Sequence, residues 1–306
     1  MSNVLSFDAF ASEQQIGAHQ AGLPRVVLEG QSDVLLFEAW FRHFLDVVEF
    51  VEASNVLVGG GCESVPKAVE HSRMRDQVPA VGIVDRDTLF RAKRWKELYT
   101  CESEVFAAIQ TPDVVTASLW EVEAYLLRPD LLGEWVEVRR DQLPAPPEVC
   151  AEAISLSLEE AEALLDAMPT LAGLHMRGVS CPINWGLNHP AESLARECQA
   201  HFYNMIAEQE ADAVVEVVRG LVEEIKALAP TDDAERFLYF LRYVDTKRLL
   251  ARLSWRLRLL GQNAHLALSS LMSKEGYCPT ELKSIVCEYA NRWTSQGGNG
   301  DELLRY

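Results

Sequence analysis

Positive charge is what this sequence has least of. Its 28 Lys and Arg face 46 Asp and Glu, a net charge of −18. A surface this acidic repels nucleic acid unless basic side chains are gathered in one place or metal ions intervene. No CxxC pair occurs among the seven cysteines (62, 101, 150, 181, 198, 278 and 287). That excludes a zinc ribbon and a thioredoxin-like site, and the odd, scattered set predicts reduced, mostly buried thiols in a cytoplasmic protein. The first fifteen residues lack the basic start and apolar run of a signal peptide, and no stretch approaches 18 uninterrupted apolar residues. Neither a leader nor a membrane span is therefore expected. The seven histidines are isolated, with no HExxH pair, and no nucleophile elbow is present. Gly59-Gly60-Gly61 is not a P-loop, because Lys67 is followed by Ala68 and the glycine spacing is wrong. Those glycines read either as a tight strand–helix turn or as a phosphate cradle, and ATP hydrolysis by this chain is not expected.

What is present is an ordinary globular composition, 48% hydrophobic over 306 residues, which excludes intrinsic disorder and a small disulfide scaffold. The clearest break is Leu143-Pro144-Ala145-Pro146-Pro147, which no helix can cross. It predicts an N-terminal extension over 1–23, an α/β domain over 24–142 and a mainly helical region over 143–306. Within the α/β part, 25–28, 56–58, 81–84 and 114–116 read as short strands. The stretches 34–48, 63–75 and 120–127 read as helical, with Asp33 a candidate N-cap for the first. Strand and helix in alternation argue for a parallel sheet, whose functional groups gather at the carboxyl ends of the strands. Here those ends carry Glu29, the Gly59–Gly61 turn, and Asp85 with Asp87.

Asp-x-Asp at an extended chain end puts two carboxylates on one side. They repel, and a cation between them keeps both ionised. Mg²⁺ suits such oxygen ligands, and a glutamate on a neighbouring strand end completes a site as ligand, general acid or general base. The competing reading is that these acids only cap the following helices.

Two basic groupings stand out. Residues 236–258 hold seven Arg or Lys and one acid, Asp245. Arg248, Arg252 and Arg256, spaced by four, form a stripe beside an apolar face, with Tyr239, Tyr243 and Trp255 interleaved as candidate base-stacking groups. Three readings stay open: nucleic-acid contact, pairing with acidic segments of this chain or a second copy, and a plain solvated face. The acidic segments exist: 152–166 has five acids and no base. The second cluster, Arg86, Arg91, Lys93, Arg94 and Lys96, follows the Asp-x-Asp directly and is the better candidate for gripping substrate phosphates, although Arg86 is equally placed to be a structural partner of the acids.

The strings VVLEGQSD (26–33) and VGIVDRD (81–87) resemble the TOPRIM pattern, a Glu-Gly closing the first strand and an Asp-x-Asp closing the third. With VLVGGGCESVPKAV (56–69) and SLWEVEAYLL (118–127), the chain is similar to the group containing the nuclease half of overcoming-lysogenization-defect proteins, and most similar to the stand-alone TOPRIM effectors of PARIS anti-phage systems. The resemblance implies a TOPRIM-like fold, and a toxic effector of antiviral defence: an endonuclease using one or two Mg²⁺ ions, with Mn²⁺ able to substitute, directed at transfer RNA and held or released by an ABC-type ATPase partner. It implies catalytic roles for Glu29, Asp85, Asp87 and Glu123, the first three as metal ligands. Glu121 is the rival of Glu123, since positions i and i+2 of a helix face apart. RYVDTKRLL (242–250) is similar to a lysine-containing helix start in the group, although Thr246 stands where a glycine is usual. It adds Lys247, with Arg248 and Arg252, to the substrate-binding candidates. Alternatives are a DNA nicking or repair nuclease and a non-catalytic acidic partner of an ATPase; a homodimer fits any of them.

Overall fold

The computed structural model describes residues 22–57, 64–139, 152–206, 209–259, 264–274 and 276–297. The predicted Gly59–Gly61 turn, the proline-rich segment 143–147 and residues 1–21 of the predicted extension lie outside them.

The chain is α/β, with a parallel sheet followed by a mainly helical C-terminal region. Strands β1 (Arg25–Leu28), β2 (Glu49–Glu52), β3 (Ala80–Val84) and β4 (Val114–Thr116) form a four-stranded sheet in the order β2-β1-β3-β4. Every pair is parallel, with Arg25 opposite Glu49 and Ala80, and Gly82 opposite Val114. All carboxyl ends therefore lie on one edge. β1 and β3 are buried along their whole length, as strands covered on both faces must be, and their short Val- and Ile-rich apolar runs are the reason both are legible in the sequence. Even Arg25 is buried, its guanidinium held by Glu49 at 2.8 Å, by Ser72 at 3.2 Å and by Asp76.

Two expectations are corrected. The second strand is Glu49–Glu52, not 56–58; Ala53–Val56 is a short helix, and Val56 and Leu57 pack against the sheet core. The Glu-Phe-Val-Glu strand hides because its first glutamate is buried against Arg25 rather than solvated. The first helix, α1 (Gln31–Trp40), is shorter than predicted and starts earlier. Gly30 is its N-cap, and Asp33 caps from the third helical position, its Oδ2 accepting from the Gly30 N–H at 3.1 Å. Helix α2 (Ser64–Met74) matches expectation. It lies so close to β3 that a Cβ on Gly82 would stand 2.5 Å from Val65 Cγ1.

By packing, the chain divides into two units that interleave along the sequence. One holds the described residues up to Val84, Gln110–Thr116 and those from 276 onward, and includes the sheet; the other holds Asp85–Ile109 and Ala117–Lys274. In the second unit, helix α3 (Asp87–Arg91) follows the Asp-x-Asp. The long helix α4 (Ala153–Met176) packs against α5 (Ala191–Ile206), α6 (Gln209–Leu228), α7 (Asp233–Phe240) and α8 (Thr246–Arg256). Among the described residues the cysteines at 101, 181, 198, 278 and 287 are free thiols, and no helix is long and apolar enough to cross a membrane.

Candidate metal centre

Glu29 is the first residue after β1, and Asp85 is bonded to Val84, the last residue of β3. β1 and β3 are neighbours, so the backbone itself delivers both carboxylates to one edge of the sheet. Ligand oxygens of Glu29, Asp85 and Asp87 all lie within 4.8 Å of one another. Three carboxylates make an all-oxygen donor set, which fits a hard divalent cation such as Mg²⁺ and not a soft one.

The two aspartates are held by backbone. Asp85 is buried, and its Oδ1 accepts from the Val122 N–H at 2.9 Å. Its carbonyl accepts from the Thr88 hydroxyl at 2.7 Å. The Asp87 N–H donates to the Trp120 carbonyl at 3.0 Å, and the Asp87 carboxylate meets Arg91, one helical turn on, at 2.5 Å. Burial pushes the Asp87 carboxyl above its usual range, with Arg91 and Lys247 pulling the other way.

The segment after β4 corrects the expected helix over 120–127. Glu121 is extended (φ −142°, ψ 161°) and caps a 3₁₀ turn, Val122–Leu126. The i, i+2 argument therefore fails, and Glu121 and Glu123 are not rivals: Lys247 Nζ lies 2.7 Å from Glu121 Oε1 and 3.7 Å from Glu123 Oε1. Glu121 is only 4% exposed, and its Oε2 has no hydrogen-bond partner. Burial pushes its carboxyl up to about 8, against the pull of the Lys247 ammonium. Desolvation alone would weaken the charge on Lys247, but the carboxylates of Glu121 and Glu123 outweigh it and hold the ammonium charged. Lys247 enters from the start of α8, whose N-cap is Asp245, accepting from the Arg248 N–H at 3.0 Å.

The basic candidates separate by burial. Arg86 is 2% exposed; it donates to the carbonyls of Leu98 and Ser118, and its guanidinium lies 4.6 Å from the Phe106 ring and 5.0 Å from the Tyr243 ring. It is structural and does not reach a substrate. Arg252, 1% exposed, is bound to Glu160 at 2.5 Å and to the carbonyls of Gly186 and His189. Arg256 meets the same Glu160 at 3.0 Å. Arg248 is held by Asp245 and by the carbonyls of Cys181 and Pro182. Two of the stripe, Arg252 and Arg256, thus dock on acids of α4 in the same chain, which corrects the substrate-binding role expected of buried Arg252; Arg248 is instead engaged by Asp245, the N-cap of its own helix, and by two loop carbonyls. Of the interleaved aromatics, Tyr243 is buried and Trp255 is 58% exposed. Arg91, Lys93, Arg94 and Lys96 are exposed on and just after α3.

The sequence did not single out the apolar wall beside this centre. Phe90 follows Asp87 by three residues, and its ring lies 5.6 Å from Trp120 and 5.1 Å from His175. His175 Nε2 sits 3.1 Å from the Arg91 carbonyl, so this ring nitrogen has a protein partner. Only the spacing of Phe90 from the Asp-x-Asp could have flagged this wall; Trp120 and His175 join it through the fold.

No family model, curated protein or solved structure matches this chain.

Proposed function

We propose that the chain is a metal-dependent phosphodiesterase acting on nucleic acid. The cluster of Glu29, Asp85 and Asp87 at the strand ends carries the reading, since three carboxylate oxygens within 4.8 Å form a donor set able to hold a divalent cation. Asp85 and Asp87 would hold Mg²⁺, with Glu29 as a further ligand or as the base that takes a proton from attacking water. A bound Mg²⁺ supplies Lewis acidity toward water and phosphoryl oxygen. The chain's own groups do the rest. The Val122 N–H fixes Asp85. Lys247 holds Glu121 and Glu123 in place. Exposed Arg91, Lys93 and Arg94 bind substrate phosphates. The resemblance to PARIS effectors favours transfer RNA as substrate, a defence role and an ABC-type ATPase as partner.

Labelled transfer RNA and duplex DNA, incubated with the purified chain with and without Mg²⁺ and with the partner ATPase, test this. Cleavage of transfer RNA is expected with Mg²⁺, and a loss of at least a hundredfold in Glu29→Ala and Asp85→Ala. Cleavage unchanged in both variants, or unaffected by chelator, would end the proposal. Cleavage of duplex DNA alone would replace the substrate and keep the chemistry.

A further inference from the structure

Helix α6 turns one face to α4 and the other to solvent. Val215, Val218, Val222 and Ile225 are buried, and the two helices approach so closely that a Cβ on Gly173 of α4 would stand 2.7 Å from Val215 Cγ2. Packing inside the chain therefore requires the glycine at 173. It does not require the one at 220. Gly220 lies in the interior of α6 on its exposed side, and a Cβ there would meet nothing within 4 Å. Its φ is not positive, so the backbone does not demand glycine either. A glycine inside a helix weakens it relative to alanine, and its use there is to let another group come close to the backbone. Val217, one turn earlier, is 48% exposed.

Charge marks the same face. Asp212, Glu216, Glu223 and Glu224 are exposed. Glu216 meets Arg219, but among the described residues Asp212, Glu223 and Glu224 form no ion pair. The acids of α4 differ, since Glu160, Glu162 and Asp166 each meet a basic side chain of the same chain.

We propose that the outer face of α6 docks a basic amphipathic helix of another protein, which crosses closest at Gly220. The proposal is independent of the nuclease reading. A helix is the occupant because of spacing: Ala213, Val217, Gly220, Glu224 and Ala227 are all exposed and recur at alternating intervals of four and three, the seam one helix presents to another. The separation of two packed helices is set by the side chains at the contact, and glycine gives the shortest. A basic flank is required because Lys or Arg beside that seam pairs with Asp212, Glu223 and Glu224. The same carboxylates disfavour the other occupants. They repel a phosphate backbone, and a two-fold contact with a second copy would set them against themselves.

Two measurements on the full chain test this. Gly220→Ala is expected to raise the chemical denaturation midpoint of the isolated chain, because nothing within it uses the missing Cβ. A lowered midpoint would give Gly220 an internal role and overturn the proposal. The second measurement is binding of a labelled peptide of about 20 residues, long enough to form a helix, with Leu and Ala on one face and Lys flanking them. Wild type is expected to bind it at physiological salt, with the α6 amides gaining protection from hydrogen exchange. Gly220→Leu, which fills the bare position, and Glu223→Lys with Glu224→Lys are each expected to weaken binding at least tenfold. Circular dichroism checks that both variants are folded. A peptide of the same composition in scrambled order, with no apolar face, is expected to bind at least tenfold more weakly. Absence of binding, equal affinity for the two peptides, or affinity unchanged in Gly220→Leu would overturn the proposal. So would a wild-type dimer that Gly220→Leu converts to monomer in sedimentation, which would give the face to a second copy.

Discussion

At the scale of single residues, burial decides what each charge does. Glu121 ionises near 8 because burial penalises its charged form more than Lys247 favours it. Its folded pKa lies above its unfolded one, so between about 4.5 and 8 the folded chain keeps a proton that the unfolded chain has released. Its contribution to stability is complete below that window and is lost as pH rises through it, with a slope approaching about 1.4 kcal/mol per pH unit. Asp87 and Glu160 are shifted the same way and add to the trend. Lys247 is shifted up from a value already above this window and adds no slope there. Metal-free denaturation midpoints of wild type should therefore fall from pH 5 to pH 8, and Glu121→Gln should flatten much of that fall. An equally steep fall in the variant would refute the assignment. None of this was legible in the sequence, where Glu121 and Glu123 looked like alternatives. Nor could spacing distinguish Arg86 and Arg252, enclosed by carbonyls and a buried carboxylate, from exposed Arg91 and Arg94. That distinction depends on Leu98, Gly186 and Glu160, far away along the chain.

At the scale of elements, runs that bury both faces announced themselves. β1, β3 and β4 carry short Val- and Ile-rich runs, and Glu29 and Asp85 were placed because each directly follows one of the first two. β2 was missed because two glutamates frame it, and the 3₁₀ turn after β4 was missed because its start is extended. The close approach of α2 to β3 makes a sharp prediction. A methyl on Gly82 would meet Val65 Cγ1 at 2.5 Å and Val114 Cγ2 at 3.2 Å. Gly82→Ala should cost about 1–3 kcal/mol of stability, as overpacked cores do. It should also lower Mg²⁺-dependent activity, because Asp85 lies three residues further along the same backbone. Chemical denaturation reads the first effect and the cleavage assay the second; a variant as stable as wild type would contradict the packing.

At the scale of the whole molecule, the net charge of −18 conceals an internal pairing. Glu160, Glu162 and Asp166 of α4 meet Arg252, Arg236 and Lys226. The exposed basic run beside the candidate metal centre is Arg91–Lys96, in which Arg91 pairs with Asp87 and Arg94 with Glu97. With Asp85→Ala as the inactive background, Lys93→Ala with Arg94→Ala should weaken RNA binding. The pair should also reduce the dependence of log affinity on log salt by roughly 0.7 for each phosphate no longer neutralised. An unchanged salt slope would place the substrate elsewhere. Arg252→Ala, by contrast, should leave that slope alone and cost about 3–5 kcal/mol, since it removes the buried partner of Glu160 and leaves that carboxylate only Arg256, whose side chain is 33% exposed.

The order in which the parts of the centre occur along the chain also bears on its biosynthesis. Glu29, Asp85 and Asp87 are translated well before Lys247, the cation that holds Glu121 and Glu123. At about 5–20 residues per second, the stretch from Asp87 to Lys247 takes roughly 8–32 seconds to make, and for that time the nascent chain lacks the cation. For the proposed nuclease, that order is a built-in delay: the machinery is complete only well after its metal ligands have been made.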